Sequence, residues 1–115
     1  MTYISGFVTP VKIQDKQRYI DSAKAAAPLF KEYGARSMHE NWGDNIPDGK
    51  VTDFKKAVKA EGDETVVFSW VVWPDKNTAD AFEAKVASDP RFNELDMPFD
   101  GQRMIFGGFE TIFED

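Results

Sequence analysis

The chain has 115 residues, enough for one core that buries roughly two-thirds of the unfolded surface and too few for two domains, so residues 1–115 are expected to form a single domain. A net charge of −6, with Lys55, Lys56 and Lys59 interleaved among Asp53 and Glu61, excludes the clustered basic surface that nucleic acid or an anionic membrane needs. The chain has no cysteine, which excludes disulfides and thiolate chemistry, and no apolar run approaches the ~20 residues of a membrane span, so cytoplasmic residence is expected.

Tyr3 to Val11 reads as the first strand, with Ile4 and Val8 on one face and Tyr3 and Phe7 on the other. Asp15 is placed to cap a helix whose stripe is Ile20, Ala23, Ala27 and Phe30 and which ends at Tyr33-Gly34. Pro28 lies inside it and removes the bond to the Lys24 carbonyl, so a kink or a break is expected there.

Ala35 to Trp42 reads as the second and most polar strand, with Arg36, Met38, Glu40 and Trp42 on one face and Ser37, His39 and Asn41 on the other. The stretch from Gly43 to Asp63 is longer than the ~12 to 15 residues a structureless loop usually reaches. Phe54, Ala57 and Val58 behind Asp53 predict a short helix that packs down on the body.

Thr65 to Trp73 is the one long apolar run and the clearest strand, because both of its faces are apolar and β-branched or aromatic residues dominate it. A second helix follows over Asp75 to Ser88, with Ala79, Phe82 and Val86 as its stripe, and Asp89-Pro90 stops it. The last strand is expected over Gln102 to Phe113, where Gly107-Gly108 marks a bulge or close packing beneath a large aromatic.

The order β-α-β-β-α-β makes an α+β domain of the ferredoxin-like kind, with both helices on one face of a four-stranded antiparallel sheet. The uncovered face would carry some of Tyr3, Phe7, Val67, Val71, Trp73, Ile105, Phe109 and Phe113, or the alternate set. At ~1.5 to 3 kcal/mol per large apolar side chain, leaving six of them wet forgoes on the order of 10 kcal/mol, comparable with a domain's whole stability of ~5 to 15 kcal/mol. A homodimer in which two sheets stack about a twofold axis is therefore expected.

Several segments carry a resemblance. Ile4-Ser5-Gly6-Phe7-Val8, Pro47-Asp48-Gly49-Lys50-Val51-Thr52-Asp53-Phe54, Val66-Val67-Phe68-Ser69-Trp70, and Met97-Pro98-Phe99-Asp100-Gly101-Gln102-Arg103-Met104 running on through Ile105-Phe106-Gly107-Gly108 are similar, in order and nearly end to end, to the YbaA-like family of uncharacterised bacterial proteins. The resemblance implies a dimeric α/β-barrel fold and no assigned activity. That superfamily also holds cofactor-free monooxygenases, muconolactone isomerases and haem-binding chlorite dismutase relatives; no catalytic motif of theirs occurs in this chain, so no functional residue carries over.

His39 is the single histidine, too few for a zinc site of the usual kind. On a cavity wall it would serve as a general base, and elsewhere as an ordinary strand residue. Glu40, Trp42 and Asp44 gather at the end of the second strand, and Asp96, Asp100 and Arg103 before the last; such groups bind a polar ligand or, more commonly, cap turns and form salt bridges. No phosphate loop, calcium loop or nucleophile elbow is present. Neither a metal nor a cofactor is expected. The residues point to a module that binds a small molecule or a partner; the alternative is a cofactor-independent monooxygenase or isomerase for a hydrophobic or aromatic small molecule, with His39, Glu40, Trp42 and Arg103 as its candidate residues. An enzyme needs an enclosed cavity that touches at least two of those four side chains.

Overall fold

A computed structural model describes residues 2–115 as four strands, β1 (Tyr3–Lys12), β2 (Ser37–Trp42), β3 (Glu64–Trp73) and β4 (Ile105–Glu110), and four helices, α1 (Lys16–Glu32), α2 (Phe54–Ala57), α3 (Lys76–Val86) and α4 (Pro90–Asn93). The sheet runs β2-β3-β1-β4 with every pairing antiparallel, which is the ferredoxin-like order. The apolar strand β3 lies inside the sheet, paired along its whole length with β1 and on its other edge with β2.

Register decides which side chains meet the helices, since cross-strand partners point the same way. Tyr3 faces Trp73, Phe7 faces Ser69 and Val11 faces Thr65, so the odd-numbered residues of β1 and β3 form one surface. Phe30 of α1 and Ala79 and Phe82 of α3 pack on that surface, around Val71 and a fully buried Trp73. Ile4, Val8, Phe68, Trp70 and Val72 take the opposite face, joined there by Ile105 and Phe109 of β4. The set that the sequence grouped on one uncovered face is thus divided, with Tyr3, Phe7, Val67, Val71 and Trp73 under the helices and Ile105 and Phe109 outside. The cause is that Val8 pairs with Ile105 and Ile4 with Phe109, a register that pattern alone does not fix.

Several boundaries differ from expectation for local reasons. α1 continues unbroken through Pro28; Pro28 and Lys24 are both exposed, so the carbonyl freed by the proline lies on the solvent side, where water satisfies it. Asp15 closes a short 3-10 turn ahead of α1 and caps nothing with its side chain. The stripe is turned by one residue from that expected, with Tyr19 rather than Ile20 as its buried member. Asp75 and Asp53 cap their helices, accepting from the Thr78 and Lys56 amides at 2.8 and 2.6 Å. Asp89-Pro90 ends α3 and also opens α4, with Asp89 accepting from the Arg91 amide at 3.0 Å.

The strand β4 is shorter than expected because Gln102 and Arg103 belong to a turn. Gly107 and Gly108 make no bulge, for the ladder with Gly6 and Ser5 is regular through them. They answer instead to close packing: a Cβ on Gly108 would stand 2.2 Å from the Tyr3 hydroxyl, and the Phe109 ring lies across the facing pair Gly6 and Gly107 on the open side. Of the α2 segment only Val58 is buried; Phe54 turns outward, its ring 6.0 Å from that of Phe68.

Candidate functional site

The sequence of α1 leaves room beneath it. Where Tyr19, Ala23, Ala26 and Phe30 face the sheet, the two alanines are too small to reach the strands, and a cleft of about 190 Å³ remains between them and Phe7, Met38 and Val71. Met97, Phe99 and Met104, from the segment ahead of β4, form its further wall. That segment is tied to α1 by a two-pronged ion pair between Arg18 and Asp96, both contacts at 2.6 Å, and by Ser22 donating to the Asp96 carbonyl.

Three of the polar groups in the cleft converge at one place. Tyr19 donates its hydroxyl to Oε1 of Glu40 at 2.7 Å, and the Ser69 hydroxyl lies beside both. Glu40 remains exposed as a residue, but its carboxyl end beneath Tyr19 loses water, which raises its pKa, an effect that Tyr19 and Ser69 oppose by stabilising the carboxylate. Burial also raises the Tyr19 pKa, with the Glu40 charge adding to it, so this phenol stays a donor. A second cleft of about 260 Å³ lies on the other side of the same pair, between Lys16, Lys24 and Trp42. The Trp42 ring leans on Tyr19 with centroids 6.5 Å apart.

The four residues singled out from sequence do not come together. Glu40 and Trp42 adjoin, and Glu40 alone touches the apolar cleft. His39 lies on the opposite face of the sheet, exposed and stacked 5.0 Å from Trp70, because neighbouring residues of a strand point to opposite sides. Both clefts open to solvent. Tyr19 and Ser69 complete the polar group; the legible signal for Ser69 was a hydroxyl inside an apolar strand, and for Tyr19 its place four residues before Ala23.

Arg103 forms a structural clasp. It donates to both carboxyl oxygens of Glu64 at 2.7 and 2.8 Å, to Asp100 at 2.9 Å and to the Lys59 carbonyl at 2.9 Å, fastening the turn ahead of β4 to the start of β3. Asp96, grouped with these residues in the sequence, pairs with Arg18 instead. The Arg103 guanidinium holds the Glu64 carboxyl below its ordinary range. A depressed carboxyl contributes stability above the unfolded value, near ~4.3, and loses it as pH falls through the folded value. Arg103→Met is therefore expected to be less stable than the wild type toward urea at neutral pH, with the gap narrowing at about pH 3. An equal gap at both would mean that the ion pair contributes nothing.

Among the described residues no group of three or more His, Asp or Glu stands close enough to hold a metal ion, and no helix is long and apolar enough to cross a membrane.

A sheet ordered β2-β3-β1-β4, the two long helices α1 and α3 on one face of it, and an apolar cleft under the first helix define a ferredoxin-like α+β protein. The chain belongs to the family described as "Protein of unknown function (DUF1428)", whose model matches residues 2–101. It is 53% identical to the uncharacterized protein YbaA of Escherichia coli K12, and equally to that of Shigella flexneri, over 100% of both chains. The crystal structure of a dimeric ferredoxin-like protein from an uncultured marine organism shares the fold with a TM-score of 0.59 over 100% of both chains, at 17% identity.

Proposed function

We propose that the protein is a homodimeric module that binds a small, mainly apolar molecule in the cleft beneath α1. The observation that carries this reading is the cleft itself: about 190 Å³ walled mainly by aromatic, methionine and alanine side chains, with Tyr19, Glu40 and Ser69 grouped in it and Thr9 and Ser22 as its other hydroxyls. Such a site orients a ligand by one hydrogen-bonding substituent and holds the rest by burial. Dimerisation is supported by the uncovered apolar face around Phe68 and Phe109 and by the dimeric state of the fold neighbour.

p-Cresol, a ring with one hydroxyl, is the probe, since a dry cavity of ~150 Å³ already accepts benzene. Calorimetry is expected to show saturable binding that Ala23→Trp weakens at least about tenfold by filling the space. Absence of binding at millimolar p-cresol, or unchanged binding in a folded Ala23→Trp protein, would sink the reading.

A second reading, the cofactor-independent monooxygenase or isomerase, has the raised pKa of Glu40 in its favour and against it an open cleft that touches Glu40 alone of the four candidates. In it the Glu40 carboxylate removes a proton from a carbon or phenol of a hydrophobic or aromatic ligand, and Tyr19 orients it. Glu40→Gln parts the two readings: it keeps p-cresol binding under either, and under the second it alone abolishes catalysed deuterium exchange at the α-carbon of phenylacetone.

A further inference from the structure

The cleft does not end at Phe30. A second hollow, of about 320 Å³, lies toward the β4 edge between α3, α4 and Phe106. The two share Phe7, Ala26, Phe30, Met97 and Met104 as common walls. Together they cross the sheet from Glu40 on β2, past Val71 on β3 and Phe7 on β1, to Phe106 on β4. Three strand spacings of ~4.8 Å make that path roughly 14 Å long.

Polarity is distributed along it unevenly. The β2 end holds Tyr19, Glu40 and Ser69. The β4 end is walled by Phe82, Val86, Phe92, Leu95 and Phe106, and its one hydroxyl, that of Ser5, already accepts from Trp73 Nε1 at 2.9 Å. The charged side chain at that end is another carboxylate, Glu83, and no lysine or arginine lines either hollow. An anionic head group inside the trench therefore meets a carboxylate at both ends, the nearest lysines, Lys16 and Lys24, lining the separate cleft beyond Glu40. An ammonium head would have to give up more hydration than a hydroxyl, which needs only one further lone pair of the Glu40 carboxylate beside those that Tyr19 and Ser69 use.

Resting on the binding reading above, we propose that the two hollows form one trench and that its ligand is an elongated aliphatic or aromatic molecule with a single uncharged hydroxyl seated at Glu40. Octan-1-ol, octanoate and octylamine are the probes, compared with p-cresol by calorimetry on the full chain. Octan-1-ol is expected to bind at least about tenfold tighter than p-cresol, because its chain buries further methylenes past Phe30. Octanoate is expected to bind at least about tenfold more weakly than octan-1-ol. Leu95→Trp fills only the far half; it should bring octan-1-ol down to the affinity of p-cresol and leave p-cresol within about twofold, which also shows that the variant is folded.

The outcomes separate the two claims. If p-cresol binds and octan-1-ol binds no better, or if Leu95→Trp leaves octan-1-ol binding intact, the trench is overturned and the smaller site stands. Tighter binding of octanoate or octylamine than of octan-1-ol overturns the uncharged head. Binding of the probes only after deletion of residues 111–115 means that the exposed Ile112 and Phe113 of a second copy occupy the trench, and the proposal falls.

Discussion

Trp73→Ala is expected to cost about 3 to 5 kcal/mol, a large share of the ~5 to 15 kcal/mol that holds a domain of this size. The indole is fully buried, with the Phe82 ring 5.1 Å and the Phe30 ring 6.4 Å away, so its loss opens a cavity where α1, α3 and the sheet converge. It also removes the donor that satisfies the Ser5 hydroxyl. Trp73→Phe keeps a ring in the space and loses only the hydrogen bond and part of the volume, for about 1 to 2 kcal/mol. Urea unfolding followed by far-UV circular dichroism measures both. A loss below about 1 kcal/mol for the alanine variant would mean that the two helices do not depend on this residue.

The importance of that strand was legible because Thr65 to Trp73 is apolar on both faces, a pattern that only an interior strand with two covers satisfies. Which face goes where was not legible. It follows from the register in which Val8 meets Ile105 and Phe68, a long-range pairing with no local signature.

The candidate site shows the same division. Glu40 and Trp42 were found because period-two alternation puts them on one face, and the same alternation carries His39 to the other. Knowing which face met the helices was needed before His39 could be placed. Tyr19 was missed by a rotation of one residue about the axis of α1, since Ile20 fits the apolar stripe equally well by type. A buried tyrosine needs a partner for its hydroxyl, and Glu40 provides it from a strand that sequence separation hides. Arg103 was recognised as belonging with Asp100, three residues away, but its bond to Glu64 crosses 39 positions and turns a candidate ligand-binding residue into a clasp.

Phe68→Asp is expected to convert a dimer into a folded monomer. Phe68 is 47% exposed in the single chain and points away from α1 and α3, so a carboxylate there keeps its water as long as the chain is alone. Across a twofold sheet stack the same position is covered in both copies. Each copy then forgoes ~2 kcal/mol of apolar burial, so the pair loses on the order of 4 kcal/mol, roughly a thousandfold in dissociation constant before the cost of desolvating two charges is counted. Light scattering at micromolar concentration is expected to give the dimer mass for the wild type and 13.0 kDa for the variant. Circular dichroism should be unchanged, which separates loss of the interface from loss of the fold. The position matters to the argument: Trp70 and Phe54 pack against the same ring, at 5.3 and 6.0 Å, so Phe68 is central to an apolar surface that the α2 segment extends. A wild-type protein that already scatters as a monomer, or a Phe68→Asp protein that remains a dimer, would show that this face is not where two copies meet.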